Sequence, residues 1–254
     1  MLTRRSFSAY TLAGLAGAAV SGPFPYGSAR AAAAVRYPVV VELFTSQGCS
    51  SCPPADAYLG RLAQRTDVVA LAYHVDYWDY IGWPDPFADA AFTARQRAYR
   101  DHLGNRTLYT PQMVIDGVID AVGSDSRRVD ALIEERRASD RHTVAIEAGF
   151  VNGELRVEIA DVGMPGPADV LAVAYDARHV TEIRRGENSG LRLEDFNVVR
   201  AIRRIGEFHG PGRTVSVPAE AWTDVEGGIA ILVQSADHGT IWGAVTVAVG
   251  GSAT

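Results

Sequence analysis

Val39-Val40-Val41-Glu42-Leu43-Phe44-Thr45-Ser46-Gln47-Gly48-Cys49-Ser50-Ser51-Cys52-Pro53-Pro54-Ala55-Asp56 is the stretch whose reading decides the fold. Its apolar beginning reads as a buried strand, and Pro53-Pro54 mark a helix start, where the missing N–H of proline does no harm. Between them stand the chain's two cysteines, at Cys-x-x-Cys spacing. At a helix start the free amides and the positive end of the dipole face the first sulfur and favour thiolate over thiol. With no other cysteine in the chain, the two pair with each other or with something outside it. That excludes a zinc site of four sulfurs and a framework of several disulfides. An inert structural cross-link is disfavoured, because so short a loop gains little loop-closure entropy. Cys49, at the exposed helix start, reads as the attacking thiol, and Cys52, inside the first turn, as the resolving one.

Upstream, Thr3-Arg4-Arg5-Ser6-Phe7 precedes a mild apolar run from Ala9 to Val20 and then Ala29-Arg30-Ala31. Charge, apolar run and small-residue cleavage signal stand in the order of an export signal, here of twin-arginine type, expected to be removed as residues 1–31. The run is too short and too rich in glycine to cross a membrane, so no stable membrane span is expected. The protein is therefore expected outside the cytoplasm, periplasmic or extracellular, with the cysteines resting as a disulfide. The 254 residues carry a net charge of −6 and 47% hydrophobic residues, the profile of a globular protein. No basic cluster offers a surface to nucleic acid.

Downstream, residues 36–139 alternate strand and helix. Pro53 to about Arg65 is a helix, Val68–Val75 a strand, Pro86–Leu103 a helix, and Asp116-Gly117 turns a hairpin between Met113–Ile115 and Val118–Val122. Ser124 or Asp125 caps a last helix. From 142 to 250 the period changes to two, with a hairpin at Asn152-Gly153 and further strands at 170–175, 213–217, 229–233 and 241–247. This predicts a separate antiparallel, sandwich-like β-rich domain.

Strand, Cys-x-x-Cys and helix, followed by Thr110-Pro111 entering a strand, resemble the thioredoxin superfamily. More narrowly, the segment 42–56, together with His74-Val75-Asp76-Tyr77-Trp78-Asp79-Tyr80-Ile81-Gly82-Trp83, is similar to the exported thioredoxin-like DUF1223 proteins of unknown function. The resemblance extends through Arg185-Gly186-Glu187-Asn188 and Asn197-Val198-Val199-Arg200. It implies an α/β thioredoxin-like domain with a helical insertion over 36–139, a cis peptide bond before Pro111, and Pro111 beside the dithiol. It also implies that the backbone of Thr110 pairs with an extended substrate. Without that fold, Pro111 reads as an ordinary turn proline at a strand start. Thioredoxin has Trp before its first cysteine and Gly-Pro between the two, whereas here Gly48 precedes and Ser50-Ser51 intervene, so the resemblance does not say whether the protein oxidises, reduces or isomerises.

Glu42 reads either as a buried acid shuttling the proton of Cys52 or as an acid at a strand edge reaching solvent. Tyr77, Trp78 and Trp83 read either as a substrate groove beside the thiols or as core. His74 with Cys49 and Cys52 supplies a donor set for copper, though a histidine bonded to a loop carbonyl ranks above ligation. The expected function is an exported thiol–disulfide oxidoreductase acting on protein or small-molecule thiols and disulfides. It needs no cofactor and draws on an electron donor that the residues do not name. The alternative is a thioredoxin-fold binding module or copper chaperone using the same dithiol.

Overall fold

Val39–Thr45 forms a strand, β1, in which every residue is buried. A strand covered on both faces reads as an apolar run rather than an alternation. The computed structural model describes residues 37–222 and 225–249. After β1 come α1 (Pro53–Leu62), β2 (Val68–His74), a 3-10 segment (Asp76–Ile81), α2 (Ala90–Leu103), β3 (Gln112–Ile115), β4 (Ile119–Val122) and α3 (Ser126–Ala138). The remainder is β5 (Ile146–Val151), β6 (Glu154–Ile159), β7 (Ala168–Glu182), β8 (Arg192–Phe208), β9 (Arg213–Pro218), a short 3-10 turn (Ala219–Trp222), β10 (Gly227–Ser235) and β11 (Ile241–Ala248).

Local chemistry sets these boundaries. Asp89 begins α2 by accepting from the Ala91 amide at 2.7 Å, and Gly104, left-handed at φ 71°, ends it. Asp125 begins α3 by accepting from the Arg128 amide. Asp116-Gly117 and Asn152-Gly153 turn their hairpins with positive φ at both residues.

The strands form an eight-stranded mixed sheet in the order β11-β10-β7-β8-β2-β1-β3-β4 and a three-stranded sheet, β5-β6-β9. β1 and β2 run parallel, and β8 joins β2 in parallel at Ala72 and Val198. This corrects the expected architecture. The chain does not divide into an α/β thioredoxin-like domain over 36–139 and a sandwich-like domain over 142–250. The molecule is mostly β, and four strands from beyond that boundary continue the sheet that carries β1 to β4. The strand that makes the join, β8, reads RLEDFNVVRAIRRIGEF. Its arginines and acids break the period-two signal that marks a strand by pattern, so sequence reading passes over it.

Alternate residues along the strands serve different cores. Val40, Phe44, Leu71, Tyr73, Val173 and Leu232 face one core, closed by Phe92 and Tyr99 of α2. β11 packs back against β1 and β2, so the sheet curls around this core. Val41 and Leu43 face α1 and α3. The three-stranded sheet covers β7, β10 and β11 through Leu155, Val157, Val170, Ile231 and Trp242. The described residues all belong to one compact unit. The expected export signal, residues 1–31, lies outside the described residues. Among those described, no helix is long and apolar enough to cross a membrane.

Candidate functional site

Cys49 and Cys52 are joined by a disulfide with their Cα atoms 5.4 Å apart. Cys52 is the residue before the first turn of α1, and its carbonyl accepts from the amides of Ala55 (2.8 Å) and Asp56 (3.1 Å). Both cysteines are fully buried at 0% exposure, whereas Ser50 and Ser51 between them are exposed. The exposed helix start read from the sequence is thus occupied by the serines. The cysteines lie beneath, because three other segments close over the loop.

The first segment is Thr110-Pro111, whose peptide bond is cis. The Thr110 hydroxyl donates to Cys49 Sγ at 3.2 Å. Ser51 Oγ lies 3.3 Å from the same sulfur and 3.4 Å from the Thr110 carbonyl. The Pro111 carbonyl accepts from the Gly123 amide just past β4, so this corner is tied into the sheet edge.

The second segment is the aromatic one. Trp78 and Trp83 border the dithiol loop and Tyr77 adjoins Trp78, but each of the three is partly buried and its polar end is engaged within the protein. Trp78 Nε1 donates to Thr110 Oγ1 at 2.8 Å, Trp83 Nε1 to Gln47 Oε1 at 3.1 Å, and the Tyr77 hydroxyl to Gln96 Oε1 at 3.1 Å. The aromatic left open to solvent in this segment is Tyr80, 82% exposed.

The third segment is the tip between β7 and β8. Asn188 is buried and donates to the carbonyls of Gln47 (2.9 Å) and Cys49 (3.0 Å). Glu187 accepts from the Ser50 amide at 3.3 Å. Gly186 has φ 80°, and a Cβ there would lie 3.2 Å from Trp83 Cβ, so the tip sits directly on the aromatic segment. Sequence reading did not assign these residues a role; their signal was the stretch Arg185-Gly186-Glu187-Asn188 itself.

Glu42 is not behind Cys52. Successive strand residues point to opposite faces, and Glu42 shares the face of Val40 and Phe44, away from α1. Fully buried, it receives Arg95 at 2.8 and 3.0 Å and a short bond from the Tyr99 hydroxyl. It is neither the proton shuttle nor the solvent-reaching acid that its position in β1 suggested.

The acids that do border the dithiol helix come from elsewhere. Asp56, on α1, accepts from the Thr45 hydroxyl at 2.7 Å. Burial, and then the nearby Asp195 carboxylate, push its carboxyl up to about 8. Asp195 itself is raised by burial and accepts from Gln47 Nε2 at 2.7 Å. His74 Nδ1 contacts Asp85 at 2.8 Å, and Asp85 also accepts from the Gln47 amide. Burial alone would push His74 down, but Asp85, Asp195 and Asp56 outweigh it and raise the imidazole to about 9. Burial would raise Asp85, but His74 together with the amides of Gln47 and Phe87 outweighs it and holds the carboxyl low. His74 is thus committed to Asp85 rather than to a loop carbonyl, and it does not join the cysteines as a third ligand. Among the described residues no three of His, Cys, Asp or Glu are placed to hold a metal ion.

Comparison with known proteins fits this geometry into a family. No curated protein matches the chain. A crystal structure of protein AGR_C_4864 from Agrobacterium tumefaciens is similar at 33% identity and a TM-score of 0.75, over 85% of this chain and 96% of that one. HBP35 of Porphyromonas gingivalis, at 12% identity and a TM-score of 0.54 over 86% of this chain and 78% of that one, shares the fold alone. The profile described as "Protein of unknown function (DUF1223)" matches residues 40–234. The dithiol corner, the hairpin tip and every strand but β11 fall within or within one residue of that match, and the chain belongs to the DUF1223 family.

Proposed function

We propose that the protein is an exported thiol–disulfide oxidoreductase whose working group is the Cys49–Cys52 pair. The observation that carries this reading is the disulfide at the start of α1 with two hydroxyls, Thr110 and Ser51, within 3.3 Å of Cys49 Sγ. Donors aimed at a sulfur, at the positive end of a helix, stabilise the thiolate formed when that disulfide opens.

The step is an exchange. A client thiolate attacks Cys49 Sγ, the Cys49–Cys52 bond breaks, and Cys52 leaves as a thiolate that takes up a proton. A second client thiolate attacks the client sulfur of the mixed disulfide and expels Cys49. Two electrons pass from the client dithiol to the protein; the reverse sequence reduces a client disulfide. Both sulfurs are buried in the closed structure, so exchange requires the Ser50-Ser51 rim, the hairpin tip or the aromatic segment to yield to the client. Export rests on Arg4-Arg5, the apolar run and Ala29-Arg30-Ala31.

Purified protein incubated with glutathione tests the activity. Cys49→Ser should abolish exchange, and Cys52→Ser should accumulate a mixed disulfide on Cys49. A wild-type disulfide that never equilibrates with glutathione, under conditions where the protein stays folded, would exclude the redox reading. Fractionation of producing cells tests export: Arg4→Lys with Arg5→Lys should leave uncleaved precursor in the cytoplasm, and unchanged processing would sink that part.

A further inference from the structure

We propose that Trp78 is a positioning residue for the dithiol: its indole N–H fixes the direction of the Thr110 hydroxyl so that this hydroxyl donates to Cys49 Sγ. The inference rests on the redox function proposed above and adds to it a residue that does not touch the reacting sulfur.

The argument is one of donors and acceptors. An indole N–H donates and never accepts, whereas a hydroxyl has one proton to give and lone pairs to receive. Trp78 Nε1 lies 2.8 Å from Thr110 Oγ1, so Thr110 is the acceptor in that contact. Its single proton is then free for the sulfur 3.2 Å away. With the indole N–H in place, the Thr110 hydroxyl is held by a donor from one side and turned toward sulfur on the other. Without it, no donor fixes which way the Thr110 hydroxyl points.

Trp78 is well placed to hold this orientation. A Cβ at Gly48, the residue before Cys49, would lie 3.2 Å from Trp78 Cβ, so the base of the Trp78 side chain sits against the dithiol loop while its indole bonds Thr110. Ser51 provides a second hydroxyl near Sγ, but it is exposed and shares its proton with the Thr110 carbonyl. Glu187, which accepts from the Ser50 amide of the same loop, is unchanged in every variant below and cancels in the comparison.

A hydrogen bond to a thiolate stabilises the reduced dithiol and shifts the couple toward reduction. The experiment equilibrates full-length wild type, Trp78→Phe, Thr110→Val, Thr110→Ser and the Trp78→Phe/Thr110→Val double variant with glutathione at neutral pH. The balanced reaction is protein disulfide plus two glutathione thiols giving protein dithiol plus glutathione disulfide, read by alkylation of free thiols and mass. Trp78→Phe keeps a ring and deletes the N–H. It should move the equilibrium toward the protein disulfide by about threefold to tenfold, which is about 14–30 mV for a two-electron couple. Thr110→Val should do at least as much, Thr110→Ser should match wild type, and the double variant should match Thr110→Val alone, since the two act through one bond.

Trp78→Phe indistinguishable from wild type while Thr110→Val shifts would overturn the positioning role, as would full additivity in the double variant. Both results leave the redox reading intact. A wild-type disulfide that fails to equilibrate at all would overturn that reading and the inference with it. Should Trp78→Phe not fold, the indole N–H resonance of Trp78 in the remaining variants decides: it should move on reduction in wild type and Thr110→Ser and stay still in Thr110→Val. Movement that survives in Thr110→Val would overturn the inference.

Discussion

Asn188 donates to the backbone carbonyl of Cys49 at 3.0 Å, across 139 positions of sequence, and with its other proton to that of Gln47 at 2.9 Å. The loop carrying the first cysteine is thereby held by the tip of a hairpin from the far half of the chain. The bond links the function of the dithiol to the unexpected part of the fold, the long β7–β8 pair. Asn188→Ala would strip both carbonyls of their donor in a place water reaches poorly, at about 1–3 kcal/mol for each group left unsatisfied. Chemical unfolding should therefore show a clear loss of stability. Glu187→Ala, one residue away but exposed, should stay within about 0.5 kcal/mol of wild type. Equal effects from the two would mean that the tip does not hold the loop.

The buried cluster beneath the loop predicts a dependence of stability on pH. Asp56 releases its proton at 3.8 in the unfolded chain and at about 8 in the folded one. The folded state therefore binds more protons, and this contribution is fully present below pH 3.8 and lost as pH rises through about 8. His74 has the same sign, from 6.5 to about 9, and its contribution is lost as pH rises through about 9. Asp85 is lowered and has the opposite sign; its contribution disappears as pH falls below its ordinary range. The melting temperature should accordingly fall between pH 7 and 9. Asp56→Asn mimics the neutral carboxyl and should flatten the decline up to about pH 8. Parallel curves for variant and wild type would show that Asp56 does not titrate with folding.

Much of this site was legible in the sequence wherever its signal was local. The Cys-x-x-Cys at a proline-marked helix start, the turns at Asp116-Gly117 and Asn152-Gly153, and the cap at Asp125 each depend on residues within a few positions. The side of the sheet on which Glu42 lies was not legible, because a strand buried on both faces carries no alternation to assign it. Nor was β8, whose Val198 joins β2 while its arginines stay in solvent. Asp195 reaches Gln47, and Asn188 the carbonyls of Gln47 and Cys49, only through that long-range pairing, which no local pattern in the sequence encodes.

Glu42 and Arg95 offer a test of the corrected role. The pair is buried, bidentate, and joined by Tyr99 and by Gln234 of β10, which contacts Arg95 at 2.9 Å. Removing one partner strands a buried charge, typically at about 3–5 kcal/mol. Arg95→Met should be strongly destabilised, and Glu42→Gln measurably so. In the folded fraction of Glu42→Gln, the pH dependence of glutathione exchange should match wild type, because the carboxylate faces away from α1. An altered pH profile at unchanged structure would restore Glu42 to the chemistry.

The aromatic segment separates packing from recognition by exposure. Trp83 is half-buried, bonds Gln47 and supports the hairpin tip at Gly186, so Trp83→Ala should destabilise the protein. Truncating large buried aromatics costs up to about 3–5 kcal/mol, and partial burial puts Trp83 at or below the lower end of that range. Tyr80 is 82% exposed in the same segment, and its ring has little packing to lose. Tyr80→Ala should therefore leave the melting temperature and small-molecule exchange as they are, while slowing exchange with a folded protein disulfide that presses on the rim. Aromatic side chains with few rotamers are effective contact points of this kind. Insulin reduction against glutathione exchange, measured on the same preparations, distinguishes the cases. A Tyr80→Ala variant that reduces insulin at the wild-type rate would remove Tyr80 from client contact, and a large drop in melting temperature would show that the ring packs after all.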